Sequence, residues 1–199
     1  MSAETRSEWW WTFNALSMLF GTLAIVALVR RGVALGSCVR PLELVLDAYN
    51  AATKILLGWA EPFVRSAKGR TASFLGHPPT LHPQWRDFVV LLVVMYGSIA
   101  RGMFQSRVST LIAASIGAAS AFGAILFSPY GRDDDFLRIA ASMSFGLVSL
   151  ILVGCFLRFT SIAPNTGLAM LRGVAYYFLG VFGAALFFAI DAGAKLLMG

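Results

Sequence analysis

Residues 9–29 run from Trp9 to Val29 without one charged side chain and stop at the pair Arg30-Arg31. A helix needs about 20 mostly apolar residues to cross the hydrocarbon core of a bilayer. Its backbone must also be satisfied within the segment, because no water is present there to bond it. This stretch meets the length requirement, and four more repeat it. Residues 87–104 begin at Asp87 and carry Arg101 near their end, where a long side chain snorkels to the headgroups. Residues 108–128 follow the polar break Gln105-Ser106-Arg107 and stop at Pro129-Tyr130-Gly131. Residues 136–157 lie between Asp133-Asp134-Asp135 and Arg158, and residues 168–190 are entered through Ala163-Pro164-Asn165-Thr166-Gly167. The expected fold is all-α: a polytopic membrane helix bundle of five transmembrane helices in a single membrane domain, 1–199.

Composition agrees. Of 199 residues 58% are hydrophobic and 13% charged, against about 25% charged in a soluble domain. A water-soluble domain is thereby excluded, and so is disorder, which requires low hydrophobicity. The chain carries 16 Lys and Arg against 10 Asp and Glu, a net charge of +6. These bases sit between the apolar runs, which points to membrane orientation and away from nucleic acid. The leader of the first run holds Glu4, Arg6 and Glu8. It lacks the positive region of a signal peptide, the run exceeds a signal core, and no small-residue cleavage site follows. A retained anchor is expected.

The one long connection, the loop 30–86, holds Glu43, Asp47, Asn50, Lys54, Gly58, Glu61, Arg65 and Lys68, seven steps over 25 residues. That is close to the helical period of 3.6. Leu42, Val45, Leu46, Tyr49, Ala52, Leu56, Trp59, Phe63 and Val64 form the opposite stripe. The pattern predicts an amphipathic interfacial helix over about 41–66, with Pro41 in its first turn and a kink at Pro62. A sixth span through this segment would put Glu43, Asp47, Lys54 and Glu61 in the bilayer, each at high cost.

Positive charge separates the two topologies, since cytoplasmic loops collect Lys and Arg. Five spans with the N-terminus outside place Arg30, Arg31, Arg40, Lys54, Arg65, Lys68, Arg70, Arg86, Arg132, Arg138 and Lys195 inside. Arg6, Arg101, Arg107, Arg158 and Arg172 fall outside, a division of eleven to five. Six spans leave eight against seven, which orients nothing. The expected location is therefore multi-pass in a bacterial inner (plasma) membrane, with the C-terminus cytoplasmic. Trp9, Trp10 and Trp11 at the outer boundary, with Trp59 and Trp85 at the inner one, are the interfacial anchors. Arg30 and Arg31 contribute to the inner basic collar.

Helix association in lipid rests on close packing and shared polar groups. Ala113, Gly117 and Ala121 make a small-residue row on the third span, with Ala114 and Ala118 beside it, which predicts that this helix is central. Gly180, Gly183 and Ala184 repeat the row on the fifth. Such rows serve packing within the chain or a homo-oligomer interface.

Candidate chemistry is sparse. Cys38 and Cys155 are expected on opposite sides of the bilayer, too far apart for a disulfide. His77 and His82 lie outside every span, so neither ligates a haem or other pigment within the membrane. His82 and Asp87 have the spacing of the His-x4-Asp motif of glycerolipid acyltransferases, in which a carboxylate orients a histidine base. No glycine-rich or arginine motif for a phosphate accompanies them, and Asp87 leads directly into a span. Asp133-Asp134-Asp135 reads as a helix cap before it reads as a cation site. No cofactor or metal is expected, and no ionisable group lies mid-span. The expected role is a non-enzymatic accessory, assembly or scaffold subunit of a membrane complex. Its partners would be the bilayer and a protein partner or second copy. A homo-oligomeric channel is the alternative, and a lipid-modifying enzyme comes after it.

Overall fold

The computed structural model describes residues 3–33, 36–76, 79–104, 107–127, 138–141, 143 and 164–198. All regular structure among them is helical: α1 (Ala3–Gly32), α2 (Arg40–Leu57), a 3₁₀ turn (Gly58–Ala60), α3 (Glu61–Leu75), α4 (Trp85–Phe104), α5 (Arg107–Phe127) and α6 (Pro164–Met198). Three of these contain stretches long and apolar enough to cross a membrane: Ala15–Gly32, Thr110–Phe127 and Phe178–Met198. Of the expected span 136–157, only the helical residues 138–141 and 143 are described. The acidic run 133–135 and Cys155 lie outside the described residues.

Two expectations are corrected. The predicted single amphipathic helix is two helices. A 3₁₀ turn at Gly58–Ala60 separates α2 from α3, and α3 continues to Leu75. Pro62 lies in the first turn of α3, where its missing N–H breaks no bond. It starts a helix instead of kinking one. Gly76, at φ 69°, ends α3 in the left-handed conformation and returns its N–H to the Ala72 carbonyl, the usual glycine stop.

The second correction concerns the centre of the bundle. Among the described residues α4 is the helix around which the others pack, touching α1, α2, α5 and α6. Its Trp85, Phe88, Val89, Leu91, Leu92, Met95 and Ile99 are buried. α5 is peripheral, with Val108, Leu111, Ile112 and Ile116 exposed. The small residues of α5 bring one face of it close to α4, and the bulky side chains of α4 fill the centre.

Glycines set the closest approaches. A Cβ added at Gly117 would stand 2.5 Å from the Leu92 carbonyl oxygen, so α4 and α5 meet nearly backbone to backbone. At Gly183 it would stand 2.7 Å from Thr22 Oγ1, where α1 meets α6. Thr22 also donates to the Gly180 carbonyl at 3.3 Å, a shared polar group of the kind that joins helices in lipid. Ala121 and Ala184 are buried at these same contacts, and Ala113 is half-buried.

Gly117→Ala should therefore destabilise the bundle by about 1–3 kcal/mol, the range for overpacking. Gly123, with open space at its Cβ position, should accept alanine with no loss. Thermal unfolding of both variants in mild detergent checks the contrast.

Candidate functional site

The arm formed by α2 and α3 lies across one end of the bundle, and polar side chains hold it there. It begins between the last turns of α1 and α6. α2 has no side-chain cap of its own, and a helix start leaves N–H groups unsatisfied. Asp191 of α6 supplies the acceptor, taking a hydrogen bond from the Val39 N–H at 2.7 Å. Lys195, one turn on, pairs with Asp191 at 2.7 Å. Arg30, at the end of α1, donates to Glu43 in the first turn of α2 at 2.9 Å. Cys38 is buried beside this junction, and burial pushes its thiol up, which disfavours a reactive thiolate.

Midway along α2, Tyr49 turns inward. Its hydroxyl donates to Asp87 at 3.0 Å, both groups being buried, and its ring packs edge-on against Phe20 of α1 at 5.8 Å. Burial, then the charge of Asp87, pushes the phenol well above its ordinary range. At the start of α3, Glu61 pairs with Arg65 at 2.9 Å and with Arg86 of α4. Arg65 first, with Arg86, holds the Glu61 carboxyl below the usual range against a smaller effect of burial.

The arm ends at α5. The last carbonyls of a helix lack donor partners within it and carry the negative end of its dipole. Lys68 Nζ donates to the Leu126 carbonyl at 3.3 Å, and Thr71 Oγ1 donates to the same oxygen at 2.9 Å. The sequence pattern puts Lys68 on the polar stripe. The 3₁₀ turn re-aims α3 so that Val64, Lys68 and Ala72 form its buried row, and burial lowers the pKa of Lys68.

The proposed interface residues separate accordingly. Trp59 is 72% exposed and donates to the Leu56 carbonyl at 2.7 Å. Trp85 is buried, its ring tilted by 40° against that of Phe122 at 6.3 Å between centroids, with the Arg86 guanidinium 5.6 Å from its ring centroid. Arg30 is committed to Glu43, while Arg31 is exposed at the end of α1. Trp9, Trp10 and Trp11 fall on the early turns of α1, and their side chains lie outside the described residues.

The His-x4-Asp pair is placed differently from its motif. Asp87 takes the Tyr49 hydroxyl, and His82 Nδ1 accepts the Gln84 backbone N–H at 3.2 Å. Gln84 is fully buried, and neither end of its carboxamide has a hydrogen-bond partner among the described residues. No three His, Cys, Asp or Glu side chains come together among the described residues. Sequence reading missed Tyr49 and Thr71 as polar partners and Gln84 as a buried amide. Tyr49 is visible there only as a member of the apolar stripe, and the other two fall on no motif.

Comparison with protein-family models, with curated proteins and with solved structures returns no match for this chain. The reading of the site therefore rests on its own geometry. What that geometry provides is a clasp: six polar links between an outlying helix pair and the ends of four other helices.

Removing one partner of a buried pair costs more than removing both. Tyr49→Phe should lower stability by about 1–3 kcal/mol by leaving the Asp87 carboxylate without its donor. Adding Asp87→Leu should return most of that loss. Melting temperatures of the single and double variants in detergent check the asymmetry.

Proposed function

We propose that this chain is a non-enzymatic, multi-pass integral membrane protein that serves as an accessory or scaffold subunit of a membrane complex. Its arm would be held along the inner leaflet for a partner to meet. The observation that carries this reading is the division of α2 into three flanks. Leu46, Tyr49 and Thr53 are buried against the bundle. Val45 and Leu56, with Trp59 just past the end of the helix, are exposed and apolar, and Leu44 and Ile55 are exposed on the side away from the bundle. Glu43, Asp47, Asn50 and Lys54 form the third flank. At 100° per residue the exposed apolar and the charged flanks lie on nearly opposite sides, with the bundle-facing one between them. A helix in the membrane plane, with lipid below, water above and a bundle at its side, requires that arrangement.

Five spans with the N-terminus outside is the topology that fits the clasp. The C-terminal ends of α1, α5 and α6 and the N-terminal end of α4 all meet at the arm. The beginning of α1 and the end of α6 are thus at opposite ends of the bundle, which supports an odd number of crossings. With the arm inside, the eleven-to-five division of positive residues follows the orientation rule. Glu43, Tyr49, Glu61, Lys68 and Thr71 of the arm are engaged in positioning, which favours a scaffold over a catalyst.

A homo-oligomeric channel is the second reading. Its support is the exposed row on α5, where Leu111 and Ile112 flank Ser115. Ser115 gives its hydroxyl to the Leu111 carbonyl of its own helix at 2.9 Å, so the row offers little to a permeating ion. A lipid-modifying enzyme built on His82 ranks below both.

Topology is tested by labelling intact cells with an impermeant thiol reagent after Ser7→Cys or Ser73→Cys, in a background with Cys38 and Cys155 replaced by alanine. The proposal expects reaction at position 7 and protection at position 73; the reverse pattern refutes it. Mass measurement after mild-detergent purification, with ion flux in liposomes, addresses the role. A co-purifying partner and no flux fit the scaffold; conductance by the pure protein fits the channel.

A further inference from the structure

Between α1, α4 and α5 lies an open cavity of about 410 Å³ whose inner end is formed by Leu56 and Leu57 of α2. That volume falls in the range of ligand sites, about 300–1,000 Å³. Its walls are apolar along Phe20, Val89 and Val93, and they continue to Ser98, Thr110 and Ala114. Gly97 and Ala114 leave small side chains on its α4 and α5 walls.

Length and charge identify an occupant. From Val89, half a turn past Asp87 of the clasp, to Ser98 is 9 residues along α4, or about 14 Å at 1.5 Å each. Half of a hydrocarbon core about 30 Å thick is about 15 Å. The groove therefore runs the depth of one leaflet, beginning at the arm. Two bases stand at the clasp end without ion-pair partners among the described residues. Lys54 lies one turn before Leu57, with its stem against Gly58. Arg31 is exposed at the end of α1, close enough to Tyr49 and Asp87 to act on both electrostatically.

We propose that this groove binds one acyl chain of an anionic phospholipid from the inner leaflet, with Lys54 and Arg31 drawing its headgroup to the edge of the arm. The proposal rests on the membrane reading above. A lipid seated there bridges α2 to α1, α4 and α5, and so becomes part of the contact that holds the arm in register.

Native mass spectrometry tests it. The full chain in mild detergent is offered equal amounts of phosphatidylglycerol and phosphatidylcholine with the same acyl chains. Retention of one phosphatidylglycerol per chain is expected. Ala114→Phe on α5 and Ser17→Phe on α1, which fill the groove from different helices, should each lose it while keeping a cooperative melting transition. Lys54→Gln should reduce the preference for phosphatidylglycerol about fivefold, the worth of one cation beside an anionic headgroup. The proposal is overturned if the wild type retains no lipid or takes both alike, or if both filled variants keep it. Carbonate washing of the source membranes separates this from failure of the membrane reading: protein left in the pellet confines the failure to the groove.

Discussion

Helix ends impose the constraint on which this structure depends. A helix that finishes where water is scarce presents carbonyls its own turns cannot satisfy, and one that starts there presents N–H groups in the same position. In this chain the missing partners come from other helices. Lys68 and Thr71 both meet the Leu126 carbonyl in the last turn of α5, and Asp191 meets the start of α2. Each donation runs between the bundle and the arm, so satisfying the ends also fixes where the arm lies. The helix dipoles act in the same sense, with a cation at a C-terminus and a carboxylate at an N-terminus.

The rest of the bundle follows a different logic. Away from the clasp, contacts depend on how closely backbones approach, as Gly117 against Leu92 and Gly183 against Thr22 illustrate. Large side chains concentrate on α4, where Phe88, Leu92 and Met95 are buried. Close packing there and polar pairing at one end divide the stability between two regions of different chemistry. Exposed apolar flanks remain on the arm, α5 and α6, where Trp59, Ile116 and Phe182 have no protein cover among the described residues.

Much of this is legible in the residues alone. The charge-free run closed by Arg30-Arg31 announces a helix of membrane length, and the 3.6-residue spacing from Glu43 onward announces the arm. The Asp191–Lys195 pair is readable from its i, i+4 spacing. Other features depend on contacts across the fold. Nothing local to Tyr49 and Asp87 tells that a phenol and a carboxylate 38 residues apart will meet. Lys68 reads as solvated by period, and only the break at Gly58–Ala60 turns it toward α5. The choice of α4 over α5 as the hub also escapes a reading by small-residue rows, because such a row marks close approach and leaves open which helix is surrounded.

The central claim is that α2 lies in the membrane plane with its side against the bundle, so that its three flanks face three environments. A nitroxide scan along α2 in reconstituted vesicles measures this directly, comparing relaxation by oxygen with relaxation by a water-soluble nickel chelate. Labels at Val45, Leu56 and Trp59 should respond to oxygen, labels at Glu43, Asp47 and Lys54 to nickel, and labels at Leu46, Tyr49 and Thr53 to neither. If that third set responds to either reagent as strongly as its neighbours do, the arm is not held by the clasp and the account is wrong.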